Sequence, residues 1–110
     1  MRNPKYPFGP ASRIAIVGSA TMSATIDNQE TMVDLGTLTA AGTLNLDIDV
    51  EVEPGARLTV KAKSDGTARN VTLGTGFLGV SIPGTIDKTK VASFVFYSGQ
   101  FHLTGIQQLD

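Results

Sequence analysis

The sequence predicts an all-β protein, an antiparallel β-sandwich of jelly-roll type with about eight short strands. Residues 43–63 alternate apolar and polar with period two, which is the pattern of a strand buried on one face. Twelve glycines and many Thr and Ser residues supply turns at close spacing, while helix-building windows rich in Leu, Glu, Lys and Ala are missing and only 17% of residues are charged. At 110 residues the chain is one domain, able to bury roughly two thirds of its unfolded surface.

Residues 1–13 stand apart. Pro4, Pro7 and Pro10 oppose regular hydrogen bonding, and Arg2, Lys5 and Arg13 carry +3 with no acidic residue, leaving −4 on the remaining chain. The segment reads as an extended arm, either a loose tail or an anchor that seats Tyr6 and Phe8 in a neighbour while its basic groups meet an acidic surface. Residues 14–110 are then the sandwich domain.

Strands are expected over 14–17 and 20–26, with Asp27-Asn28-Gln29-Glu30 as a polar turn. A strand over 32–38 follows, with Gly36 as a bulge. The long alternation puts Leu44, Leu46, Ile48, Val50 and Val52 on one face and Asn45, Asp47, Asp49, Glu51 and Glu53 on the other. After Pro54-Gly55-Ala56 it resumes with Leu58, Val60 and Ala62 apolar, so the two runs predict a hairpin. In that register Val52 faces Leu58 and Val50 faces Val60, while Glu53 meets Arg57, Asp49 meets Lys61 and Asp47 meets Lys63. Core burial and charge pairing select the same alignment.

Ser64-Asp65-Gly66-Thr67 is a turn signal, followed by a strand over 69–73 as the third member of a meander. Gly74 to Gly79 interrupts the ladder, and 80–83 resumes an extended path. Residues 89–97 are apolar on both faces, which predicts a central strand covered on both sides. Ser98-Gly99 turns the chain into a last strand over 100–106.

There is no Cys, no Trp and one His, so disulfides, Cys-ligated zinc and cysteine nucleophiles are excluded. No apolar run is long enough to cross a bilayer as a helix, and the first ten residues lack a signal-peptide core. A cytoplasmically made, unprocessed chain is expected. The carboxylates Asp47, Asp49, Glu51 and Glu53 could in principle take a hard cation, but i, i+2, i+4 spacing spreads them along a strand. They read as a solvated face balanced by Arg57, Lys61 and Lys63. His102 has no advertised partner for a triad or metal site and reads as a surface or interface residue. Gly74-x-Gly76-x-x-Gly79 matches a dinucleotide loop by count but lacks the helix that such a loop requires. The basic residues form no stripe, which argues against nucleic acid. The expectation is a protein without catalytic residues, cofactor or metal.

The succession Leu35-Gly36-Thr37-Leu38, Thr43-Leu44-Asn45-Leu46, Pro54-Gly55-Ala56-Arg57-Leu58, Asp65-Gly66-Thr67-Ala68-Arg69 and Gly74-Thr75-Gly76-Phe77 resembles small β-rich structural proteins of tailed bacteriophages. The runs from Gly84 to Val91 and from Phe94 to Phe101 are similar too. The resemblance spans roughly residues 31–104 and implies a capsid decoration or head-fibre type protein on the virion surface. It further implies a homotrimer, with the major capsid protein or other virion proteins as partners, and no membrane or nucleic acid. On this reading Arg2, Lys5, Tyr6, Phe8 and Arg13 form a capsid anchor. Phe77, Leu78, Tyr97 and Phe101, near turns, form a subunit interface. The alternative is a carbohydrate- or cation-binding sandwich, against which stands the shortage of aromatic platforms.

Overall fold

The computed structural model describes residues 12–16, 20–78 and 81–109, and within them every regular element is a strand. These are β1 Ser12–Ala15, β2 Thr21–Ile26, β3 Glu30–Leu38, β4 Gly42–Ile48, β5 Arg57–Ser64, β6 Val71–Leu73, β7 Ser81–Ile82, β8 Thr89–Tyr97 and β9 Gln100–Gln108. They form two sheets, ordered β1-β3-β5-β8-β9 (sheet A) and β2-β4-β6-β7 (sheet B).

Both sheets are mixed, which corrects the expected antiparallel architecture. From β1 to β6 each strand lies in the opposite sheet from the one before it, so the chain winds as a coil. Its neighbours within a sheet are parallel: β1 with β3, β3 with β5, β2 with β4, and β4 with β6. Only the last part is antiparallel, with β7 on β6, β8 on β5, and β9 on β8. The coil takes the place of the meander and of the jelly-roll connectivity.

The hairpin expected over residues 43–63 does not form. β4 ends at Ile48, a loop carries the chain over 49–56, and β5 starts in the other sheet. Val50 is therefore 98% exposed, while Val52 returns to the core. Arg57 lies in register with Glu30, and Lys61 with Asp34, in place of the carboxylates of the 47–53 run. Alternation was satisfied all the same, because the inward faces of β4 and β5 both reach one shared core.

That core contains Ile26, Val33, Leu35, Leu38, Leu44, Leu58, Val60 and Val71, with Phe77, Phe94, Phe96 and Phe101 towards the C-terminal side. Val33, Leu38, Leu44, Val60 and Phe101 are fully enclosed. The expected bulge in β3 is present: the register shifts between Asp34 and Thr37, Gly36 takes φ 64°, and Asp34 Oδ1 accepts its N–H at 2.9 Å. β8 is an interior strand of sheet A, between β5 and the edge strand β9, and not its centre, and only one face is buried. Ala92, Phe94 and Phe96 point into the core, whereas Val91 and Val95 are half-buried and Ser93 and Tyr97 exposed on the outside.

Candidate functional site

The strand directions sort every connection to one of two ends. β3 and β5 start at the Glu30/Arg57 end, β8 finishes there, and β9 begins there. The segments 27–29, 49–56, 74–78 and 98–99 gather at this end. Those at 39–41, 65–70 and 83–88 gather at the other, beside the end of β9. Local hydrogen bonds knit the first group together. Arg57 N donates to Gln29 O at 2.8 Å, Glu53 N to Gln29 Oε1 at 2.9 Å, and Gly55 N to Phe96 O at 2.8 Å.

Five of the six large apolar side chains exposed among the described residues follow the same division, the sixth being Ile106 within β9. Val50, Leu78 and Tyr97 lie at the first end, and Ile86 and Leu109 at the second. Of the four residues expected at an interface, Leu78 and Tyr97 are exposed, at 52% and 63%, while Phe77 and Phe101 belong to the core. Phe77 packs on Phe94 with ring centroids 5.0 Å apart, and Phe101 packs on Phe96 at 5.1 Å. Phe101 N donates to Gly76 O, and Leu78 N to Phe101 O, which staples the 74–78 turn across to β9. Arg13 lies in β1, so sheet A begins inside the expected arm. Arg2, Lys5, Tyr6 and Phe8 lie outside the described residues.

His102 stands half-buried on the outside of sheet A in register with Val95. Its ring meets that of Tyr97 edge-on at 5.8 Å, and its Nε2 lies 2.9 Å from the Tyr97 carbonyl. In the neutral ring this contact selects the tautomer that carries the proton on Nε2. Beside the pair runs an open groove of about 420 Å³ across β5, β8 and β9, walled by Arg57, Thr59, Ser93, Val95 and Thr104. It exists because β9 bulges where the register shifts between Ser93 and Phe94, and Thr104 Oγ1 donates to Ser93 O at 3.0 Å. Sequence reading missed this groove, although Gly105 at the register shift is the same kind of bulge signal as Gly36 in β3.

The acidic run lies differently from expectation. Asp47 is near the end of β4, whereas Asp49, Glu51 and Glu53 lie on the exposed 49–56 loop, where Asp49 Oδ1 accepts the Glu51 N–H at 2.8 Å. Among the described residues no three His, Asp or Glu side chains approach as a metal-binding group. The glycine-rich segment is structural. Thr75 N donates to Asn45 Oδ1 at 2.8 Å and Leu46 N to Thr75 O at 2.8 Å, so residues 74–76 lie directly on β4. A Cβ on Gly74 would collide with Asn45 Oδ1, and one on Gly76, which takes φ 91°, would lie 2.8 Å from Leu46 Cβ.

At the second end Asp65 and Arg69 form a two-pronged ion pair, Nε to Oδ1 at 2.9 Å and Nη2 to Oδ2 at 3.2 Å. Donation by Arg69, then by the Thr67 N–H, holds the Asp65 carboxyl below the usual aspartate range, and Asp65 raises Arg69 in turn. The pair closes the expected 64–67 turn, with Ser64 Oγ accepting the Arg69 N–H at 3.0 Å.

No protein-family model matches the chain, and no curated protein matches it significantly.

Proposed function

We propose that this chain is a structural protein of a bacteriophage virion, of the capsid decoration or head-fibre type, that oligomerises as a trimer and docks on the capsid surface without catalysing a reaction. The observation that carries this reading is the placement of five exposed apolar side chains at the two ends of a strand coil, Val50, Leu78 and Tyr97 at one and Ile86 and Leu109 at the other. A folded column with adhesive ends suits a module that is held between other proteins. The residue-level resemblance to phage structural proteins supplies the virion context, and the basic arm supplies an attachment segment.

Capsid co-sedimentation of the full chain, of a variant lacking residues 1–11, which leaves β1 intact, and of Tyr97→Ala tests the reading. Binding that depends on the arm and on Tyr97 is expected; equal sedimentation of the full and truncated chains would remove the anchor, and no sedimentation at all would remove the capsid as partner.

The groove beside Tyr97 favours a second reading, a saccharide-binding module. Three hydroxyl-bearing residues, Thr59, Ser93 and Thr104, and Arg57 line the groove, and the exposed Tyr97 lies two residues along β8 from Val95 in its wall, polar and aromatic groups of the kinds that sugar sites use. Calorimetric titration with neutral and acidic glycans decides it: heat abolished by Tyr97→Ala supports the module, and silence across the set rejects it.

A further inference from the structure

The fold sorts charge along its length. A nine-residue strand is about 30 Å long, so the 41 Å dimension of the molecule runs along the strands and its ends present a cross-section of 25 × 23 Å. At the Glu30/Arg57 end the described residues carry Asp27, Glu30, Asp49, Glu51 and Glu53 against Arg57 and Arg13, the latter in β1 in register with Met32. At the opposite end stand Lys63, Lys88, Lys90 and Arg69 against Asp65 and Asp87, with Asp65 and Arg69 paired to each other. Among the described residues one end is acidic and the other basic, and both expose large apolar side chains.

We propose that the acidic end of one copy docks on the basic end of another copy of this chain, head to tail. Charge complementarity selects this pairing over the two like-end alternatives, since apposing two acidic ends would set carboxylate against carboxylate. Val50 and Leu78 on one side and Ile86 and Leu109 on the other then leave water together. The two patches differ, so the contact is heterologous and repeats from copy to copy unless a rotation closes it into a ring. The cross-section of each end, about 600 Å², is smaller than the ~800 Å² per partner of a standard-size interface. Association is therefore weak, concentration-dependent and sensitive to salt. This inference does not depend on where the protein resides.

Light scattering on the full chain across concentration, at low and high salt, tests it with two charge-reversed variants. E30K/E51K/E53K reverses the acidic end and K63E/K88E reverses the basic end, with circular dichroism to establish that both fold. Mass that grows with concentration at low salt and shrinks at high salt is expected for the parent chain. Each variant alone should stay monomeric, and an equimolar mixture of the two should associate again, because the reversed ends complement each other. A monomer at every concentration, a fixed mass indifferent to both reversals, or a folded mixture that stays monomeric would overturn it. So would association that survives reversal but disappears on removing residues 1–11, since the arm would then be what makes the contact. A fixed trimer indifferent to both reversals would do so while leaving the virion reading standing.

Discussion

The coil of β1 to β6 and the cap formed by β7 to β9 share one core but are built from different materials. The coil contributes aliphatic side chains, Met22, Ile26, Val33, Leu35, Leu38, Leu44 and Leu46, from parallel neighbours. The cap side holds all four core phenylalanines, in the tilted pairs Phe77–Phe94 and Phe96–Phe101. Parallel coiling repeats one small unit and leaves its first strand held on one side, with β1 packed against β3. Antiparallel return strands with large rings close the other side. The difference teaches that order in this molecule is deepest where coil and cap meet, at β5 and β8, and shallowest at the first turn.

The strongest way to break the comparison is to empty the cap. Phe101→Ala, at a fully buried position, should cost about 3–5 kcal/mol, measured by urea unfolding, and the loss should exceed that of an aliphatic deletion in the first turn such as Ile14→Ala, where the side chain is half-buried. Gly76→Ala attacks the joint between the halves. Its φ of 91° and the 2.8 Å approach to Leu46 predict a loss of about 1–3 kcal/mol, read from the same titration. Thr31→Val sharpens the comparison from the coil side. The Thr31 hydroxyl is buried with no hydrogen-bond partner among the described residues, so an isosteric apolar side chain should stabilise by about 1 kcal/mol. Hydrogen exchange should show the gradient directly, with amides of β1 exchanging fastest and those of β5 and β8 slowest. Uniform protection would contradict it.

The smallest effect is a pH dependence at the basic end. The Asp65 carboxyl ionises below its ordinary value of 3.8, so the folded state binds that proton less readily than the unfolded chain. Its contribution is present above pH 3.8 and fades as pH falls through the lowered folded value. Asp65→Asn should flatten this part of the acid-unfolding curve and lower the plateau above pH 5 without changing its slope. Because the carboxylate is solvent-facing, the effect should shrink in high salt.

How far residues reveal their partners differs along the chain. The β3 bulge was legible because Gly36 interrupts an alternating run, and the 64–67 turn because Asp65 precedes a glycine. The 98–99 turn was legible for the same kind of reason, with Ser98 and Gly99 at φ 53° and 80°. The coil was not. From Ser12 to its neighbour Thr31 is 19 positions, and from Thr31 to Leu58 is 27, so no constant repeat exists to be found. The candidate groove depends on a bulge in β9 marked only by Gly105, and the charged ends depend on which loops share an end. Val50 was misread because it continues a perfect alternation for two residues past the point where pairing stops.

Local residue types by themselves determined that this chain is all-β, where most turns fall and which face of each strand is buried, because alternation and turn stereochemistry act between near neighbours. Which strand lies beside which was decided only by the tertiary structure. Leu44–Ile48 and Leu58–Ala62 bury the same faces whether paired with each other or set in opposite sheets, so burial cannot choose between the two. What chooses is the closure of one core by strands distant in sequence. That closure moves Asp49, Glu51 and Glu53 away from Lys61 and Lys63 and creates an acidic end and a basic end where residue spacing alone had indicated neutral pairs.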